Sequence, residues 1–184
     1  KRGKDMWLPH LLGHEGSGII VNKHANIKNF KLGDRVLLSW LKNGLKDGKK
    51  ISYKLNNKTI NAGPITTFSN YSIVSANRVY KIPKSLNFKT AILYGCALPT
   101  GYGLIKNQLK PKKNNIILVV GLGGVGLCAL ATLVALKIKN IIAVDRDDYK
   151  LKIARKLGVK KNINTNKINL KKYIFKYFPE GLDG

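Results

Sequence analysis

Apolar positions follow two different rhythms along this chain. In its first half they come in short bursts: Gly18 to Val21, Arg35 to Trp40, Tyr71 to Val74 and Arg78 to Ile82 are apolar or β-branched runs of strand length, separated by Gly, Asn and Lys. These predict strands. Leu41 to Thr66 is polar, rich in Lys, Asn and Gly and without a clear period, which predicts a long surface loop containing one hairpin. The first half therefore reads as a small all-β domain.

From about Leu86 the rhythm lengthens. Asn87 to Leu93 and Thr100 to Gln108 suit short helices, with a break at Pro111. Ile116 to Val120 is a continuous apolar run, as expected of a strand buried on both faces, and Gly121 to Gly126 then opens an apolar helix reaching about Lys137. Ile141 to Val144 is a second such strand. Asp147 to Leu157 is amphipathic and ends at Gly158, a natural C-terminal cap, and Asn169 to Tyr177 predicts a Lys-rich helix with one apolar face. Right-handed crossover makes the two strands of this βαβα succession parallel neighbours.

The fold class expected is thus mixed β and α/β, with a β domain over residues 1–90 and part of a doubly wound parallel sheet over 91–184. A complete sheet of that kind uses about six strands. Too little chain follows Asp145 to supply them, and Lys1 is not an initiator Met, so the sequence is expected to be an internal piece of a longer protein.

The glycines carry the first chemical signal. Gly121-Leu122-Gly123-Gly124-Val125-Gly126 has the G-x-G-x-x-G spacing, after a buried strand and at the start of a helix. Gly121 permits the tight turn, Gly123 lets backbone approach a pyrophosphate, and Gly126 lets the helix pack on the sheet. Gly124 and Val125 form the first helical turn, whose free N–H groups and partial positive charge suit phosphates. Asp145 ends the next strand, about twenty residues on, where a carboxylate accepts hydrogen bonds from an adenine-ribose diol. Asp favours NAD over NADP, although Arg146 beside it could receive a 2′-phosphate. A purely structural turn, and an N-cap role for Asp145, are the plain alternatives.

Composition narrows the remaining classes. No run approaches the roughly eighteen apolar residues that a membrane helix requires, and Lys1 to Asp5 does not resemble a targeting signal. Two cysteines, Cys96 and Cys128, lie in unrelated contexts, so a disulfide framework is not expected and a reducing cytoplasm fits. The formal charge of +25 raises nucleic acid as a partner. Only five of the 34 basic residues are Arg, however, and the lysines are scattered over the whole length. That is compositional bias, not a binding stripe, and no specific nucleic acid or membrane partner is expected.

Near the start, Gly13-His14-Glu15-Gly16 sets an imidazole beside a carboxylate in a glycine-flanked turn, and Cys96 stands far away between Gly95 and Ala97. Imidazole and thiolate are zinc ligands, but a catalytic zinc takes three protein ligands and an open position. Spacing alone does not establish a metal site.

Gly13-His14-Glu15-Gly16-x-Gly18, Gly33-Asp34-Arg35-Val36, Gly95-Cys96-x-x-x-Thr100-Gly101-Tyr102-Gly103 and the Gly121 to Gly126 loop with Asp145 occur in an order and spacing that resembles the medium-chain zinc alcohol dehydrogenases, over nearly the whole chain. The resemblance implies a partial GroES-like β domain followed by the first part of a Rossmann domain, and an NAD-linked dehydrogenase acting on a small-molecule alcohol or aldehyde. It makes His14 and Cys96 ligands of one catalytic Zn2+, with Glu15 the acidic residue near the metal. It places Thr100 against the nicotinamide, Lys150 against the adenosine ribose, and Trp40 as an aromatic wall of the alcohol pocket.

Departures from the family matter equally. Its third zinc ligand and proton relay would precede Lys1, and its structural-zinc cysteines are absent from Leu41 to Thr66, so no structural zinc is expected. The resemblance also implies a homo-oligomeric parent whose pairing surfaces lie largely beyond Gly184. Three rivals remain: a zinc-free quinone or enoyl reductase of the same superfamily, a basic nucleic-acid-binding module, and a truncated product without activity. For single residues the plain readings are a turn histidine at His14, a small buried hydrophobe at Cys96, a lysine-paired carboxylate at Glu15 and core packing at Trp40.

Overall fold

The computed structural model describes residues 8–49 and 51–184, so the reading of Lys1 to Asp5 lies outside the described residues. The chain forms two compact units, the first ending at Cys96 and the second beginning at Ala97.

The first unit holds two small sheets. In one, β1 (His10–Leu11) runs parallel to β5 (Lys58–Ala62), which pairs antiparallel with β4 (Tyr53–Leu55). Asn56 and Asn57 join β4 to β5 with φ of 48° and 62°. Both central positions are left-handed, as a two-residue hairpin turn matching the strand twist requires, and asparagine tolerates that region best after glycine. This is the hairpin expected within Leu41 to Thr66.

The other sheet has the order β2 (Gly16–Ile19), β3 (Arg35–Leu38), β6 (Val79–Lys81), antiparallel throughout. Alternation along β3 supplies both faces of the unit: Val36 packs with Phe30 and Val79, while Leu37 packs with Ile82 and Ala91. Tyr71 to Val74 is not a strand. Tyr71 and Ile73 are 77% and 64% exposed, so half of its apolar alternation faces water and only Val74 reaches a core. Apolar alternation predicts a strand only where a neighbouring strand offers its edge, and here none does.

Asn87 caps α1 (Phe88–Ala91), its side chain accepting the Thr90 N–H at 2.8 Å, and a tightened 3-10 turn, Ile92–Gly95, then delivers Cys96. In the second unit α2 (Ala97–Gly103) begins three residues before the expected start. Pro99 falls in its first turn, where an N–H would have no intrahelical acceptor anyway. The helix continues as a wide turn, Leu104–Leu109, closed by the Lys110 N–H donating to the Ile105 carbonyl at 2.8 Å.

Beyond it, β7 (Ile116–Val120), α3 (Gly124–Ala135), β8 (Asn140–Asp145), α4 (Asp148–Lys156), β9 (Lys161–Asn164) and α5 (Leu170–Tyr177) follow in turn. The strands lie in the order β7, β8, β9 and are all parallel, as the crossover rule demands. Ile141 and Ala143 of β8 face a core with Leu130, Leu133, Leu151 and Ala154, whereas Ile142 and Val144 meet Ile163 and the apolar side of α5. The sheet is covered on both faces. β9 was not legible as a strand, because Lys161, Asn162 and Asn164 surround the single buried apolar residue Ile163.

The second edge of β7 is also in use: Asp183 donates its N–H to the Ile116 carbonyl at 3.0 Å, and Leu118 donates to the Gly184 carbonyl at 2.8 Å. The chain thus switches to the opposite side of β7, and the carboxyl end of a strand at such a switch point is where open α/β sheets bind ligands. No helix among the described residues is long and apolar enough to cross a membrane.

Candidate metal and dinucleotide sites

Two glycines bring His14 and Cys96 together. Gly13 has φ +87°, and a Cβ there would stand 2.5 Å from Thr67 Oγ1 and 2.8 Å from the Phe68 nitrogen, so only glycine allows the turn that precedes His14. Gly95 lies flat on β3, where a Cβ would come within 2.4 Å of the Leu38 carbonyl oxygen. The buried Ser39 hydroxyl donates to the Gly95 carbonyl at 2.8 Å and accepts the Leu41 N–H at 3.1 Å. The result is that His14 Nε2 and Cys96 Sγ stand 3.3 Å apart although 82 residues separate them.

That separation fits a shared metal. Ligands at about 2.0–2.1 Å and 2.3 Å from a tetrahedral zinc lie roughly 3.6 Å from each other. His14 is exposed and Cys96 half-buried, so both atoms are reachable from solvent. Glu15 is half-buried at the foot of β2, but the described residues contain no group of three such side chains able to hold a metal, so Glu15 does not complete a ligand triad with His14 and Cys96. Trp40 is not core: it is 44% exposed, and its ring meets the His14 imidazole in an edge-on contact, centroids 6.2 Å apart at 63°. Both cysteines are free thiols, and Cys128 is half-buried within α3.

The glycine loop emerges from the carboxyl end of β7. Gly121 has φ +87°, and a Cβ at Gly126 would meet the Gly121 carbonyl oxygen at 2.0 Å, so helix and turn touch backbone to backbone. Gly123 has nothing within 4 Å of its Cβ position. It caps α3 without any side-chain acceptor, and Gly123, Gly124 and Val125 are exposed. The first-turn donors thus have room for a phosphate.

Asp145, 8% exposed, accepts the Leu122 N–H at 2.7 Å on Oδ2 and the Asp147 N–H at 2.9 Å on Oδ1. The Leu122 hydrogen bond, above all, holds its carboxyl below the usual range against the opposing effect of burial; the Asp147 N–H and the nearby Lys150 charge assist. A carboxylate offers about four acceptor positions, so two remain for a diol. The N-cap of α4 is Asp147, not Asp145. Lys150 Nζ lies 3.7 Å from Asp145 Oδ2, beside the same site. Thr100 is exposed on α2, next to Gly101, whose Cβ position is 2.6 Å from the Ala129 nitrogen and 2.8 Å from the Val125 carbonyl. That close approach fixes α2 against the opening turns of α3.

Sequence reasoning missed Ser39 and Arg78, whose side chains hydrogen-bond the backbone beside Cys96 and at Trp40. Each left a signal: Ser39 interrupts the apolar residues Val36 to Trp40, and Arg78 is one of five arginines in a chain that otherwise uses lysine.

A βαβ unit with a glycine loop and a strand-terminal aspartate, in one chain with a His–Cys pair on a small β domain, is the combination that the resemblance to the medium-chain dehydrogenases implied. Comparison with known proteins agrees. The alcohol dehydrogenase GroES-like domain model matches residues 2–84, and the zinc-binding dehydrogenase model matches residues 124–184. Alcohol dehydrogenase B of Mycobacterium tuberculosis is 31% identical over 175 residues, covering 82% of this chain and 47% of that protein. Benzyl alcohol dehydrogenase from Acinetobacter calcoaceticus superposes with a TM-score of 0.77 at 27% identity, over 97% of this chain and 55% of that one. A quinone oxidoreductase from Pseudomonas syringae shares the fold, with a TM-score of 0.68 at 24% identity over 94% and 46% of the two chains. The chain belongs to the medium-chain alcohol dehydrogenase family, with a partial GroES-like domain and the start of a Rossmann domain. It spans about half the length of the curated relatives it matches.

Proposed function

We propose that the full-length protein is a zinc-dependent alcohol dehydrogenase that interconverts a small alcohol and its aldehyde or ketone, using NAD. The observation that carries this reading is the approach of His14 Nε2 to Cys96 Sγ at 3.3 Å across 82 residues of sequence. An imidazole and a thiol brought within hydrogen-bonding range at an exposed position, each beside a sterically obligatory glycine, support the reading of a metal-ligand pair.

In this reading His14 presents a neutral Nε2 and Cys96 a thiolate to one zinc, and a third ligand comes from outside the described residues. A zinc held by His14 and Cys96 would supply Lewis-acid chemistry for alcohol oxidation, with a nicotinamide as the hydride acceptor. Glu15, next to His14 in the chain, would lie near that metal, and Trp40, whose ring meets the His14 imidazole, would form one wall for the alcohol carbon chain. Thr100 orients the nicotinamide. Gly121, Gly123, Gly124, Val125 and Gly126 receive the pyrophosphate, while Asp145 accepts hydrogen bonds from the adenosine ribose and Lys150 contacts the same sugar. The buried, hydrogen-bonded carboxylate of Asp145 supports NAD over NADP, since it repels a 2′-phosphate. With no cysteine between Leu41 and Thr66, one zinc per chain suffices. Two free thiols suit a reducing compartment, and we assign the protein to the cytoplasm.

The test is NADH formation when the full-length protein is supplied with NAD and a panel of primary and secondary alcohols. Turnover that is lost in Cys96→Ser is expected. Quinone reduction with NADPH, without oxidation of any alcohol, would contradict the proposal.

A further inference from the structure

We propose that Arg78 is the residue that sets the substrate range of this site, by locking the indole of Trp40 beside His14; the inference rests on the alcohol dehydrogenase reading above. Arg78 touches no reacting atom, so its role is positioning.

The backbone around Trp40 is held at every turn. The Ser39 N–H donates to the Arg78 carbonyl at 3.0 Å, and the Ser39 hydroxyl bridges the Gly95 carbonyl and the Leu41 N–H at 2.8 and 3.1 Å. The Tyr80 hydroxyl donates to the Leu41 carbonyl at 3.2 Å, and Arg78 Nη1 donates to the Trp40 carbonyl itself. A tryptophan so tightly anchored would ordinarily bury its ring, yet 44% of this residue stays exposed. The anchoring presents the indole to solvent at a fixed angle.

Arg78 also fixes the ring. Its guanidinium carbon lies 5.4 Å from the indole centroid, a cation–π arrangement, and its Nε is buried without a hydrogen-bond partner, as in a side chain drawn in by the ring and the carbonyl together. On the other side the indole meets the His14 imidazole edge-on. Gly63 completes the bracket: its Cβ position is 3.8 Å from Cζ2 and Cη2, so the six-membered end of the indole rests against bare backbone. A planar fork can donate to a carbonyl while its face rides on a ring, which a lysine ammonium cannot do as well. The basic residue at this position is one of the five arginines of a chain with 29 lysines.

A wall held in one place discriminates by size. Released, the indole swings away and bulky alcohols enter. Loss of a fitted apolar contact in an enzyme pocket changes discrimination on the order of tenfold or more.

The experiment compares kcat/KM for ethanol and for benzyl alcohol in the full-length protein, as wild type, Arg78→Met, Arg78→Lys, Trp40→Ala and the Trp40→Ala/Arg78→Met double variant. Acrylamide quenching of the emission that disappears on Trp40→Phe is measured in parallel. Arg78→Met is expected to shift the ethanol-to-benzyl ratio by about tenfold and to raise quenching, with Arg78→Lys intermediate and no further shift in the double variant. An unchanged ratio and unchanged quenching in an active Arg78→Met enzyme overturn the inference and leave the dehydrogenase reading standing. A ratio shift that persists in full in the Trp40→Ala background also overturns it, because Arg78 would then act independently of the indole. A wild-type protein that oxidises no alcohol overturns both readings, and is recognised by the inactivity of the unsubstituted chain.

Discussion

Asp145 Oδ2 accepts the backbone N–H of Leu122 at 2.7 Å, joining the end of β8 to the glycine loop that follows β7. One carboxylate thereby fixes the loop's shape and keeps acceptor positions free at its rim. Asp145→Ala leaves the buried Leu122 N–H without a partner, which costs about 1–3 kcal/mol. Chemical denaturation should show that loss, and NADH fluorescence titration should show weaker binding. Full NADH affinity in a folded Asp145→Ala protein would remove Asp145 from the cofactor site.

The same contact predicts a pH dependence. The folded pKa of Asp145 is depressed, chiefly by the Leu122 N–H, so the unfolded chain binds its proton more readily. Its stabilisation is therefore complete above the unfolded carboxylate pKa, about 3.9, and is lost as pH falls through the lower folded value. Urea denaturation of wild type and Asp145→Asn should differ at neutral pH and converge in strong acid. A difference that grows on acidification would contradict the assignment.

Two glycines of the loop separate folding from binding. A methyl at Gly126 must displace the Gly121 carbonyl oxygen 2.0 Å away, so Gly126→Ala should destabilise the second unit by about 1–3 kcal/mol. Gly123 has open space at its Cβ position and φ −75°, so Gly123→Ala should fold normally. If a pyrophosphate lies against that position, Gly123→Ala nevertheless loses NAD affinity. Thermal melts with and without NAD distinguish the two variants; unaltered binding in Gly123→Ala would mean that the phosphates lie elsewhere.

Ser39, next to Trp40, ties its segment through the Gly95 carbonyl to the residue before Cys96, the proposed thiol ligand. Ser39→Ala strips the buried Gly95 carbonyl of its side-chain partner, at about 1–3 kcal/mol, and removes the part-buried bond to the Leu41 N–H. Groups that orient a ligand from behind typically govern about 10- to 100-fold in metal affinity. Competition with a chromophoric chelator should therefore show weaker zinc retention in the full-length Ser39→Ala protein, beyond what its altered stability explains; equal retention would confine Ser39 to a structural role.

What the sequence made legible follows from where the information is local. Ile116 to Val120, the glycine loop and Asp145 each declare themselves within a few residues, and the parallel β7–β8 pairing follows from crossover handedness. Tyr71 to Val74 failed because a strand depends on a neighbour's edge, which no local pattern encodes. β9 failed because a strand with one buried isoleucine among Lys and Asn carries almost no hydrophobic signal. For the site, His14 and Cys96 stood out as zinc-competent residue types, but their convergence is a long-range fact that only resemblance anticipated. The backbone-directed roles of Ser39 and Arg78 were hidden because carbonyl acceptors leave no mark on a sequence.

The most direct test of the account is the zinc content per chain of the purified full-length protein, measured alongside His14→Ala and Cys96→Ser. The account predicts one zinc per chain in the unsubstituted protein and its loss in both variants. A full-length protein without zinc, or one whose zinc survives both substitutions, would contradict the proposed metal centre, while leaving the proposed dinucleotide site at Gly121 to Gly126 and Asp145 to be tested on its own geometry.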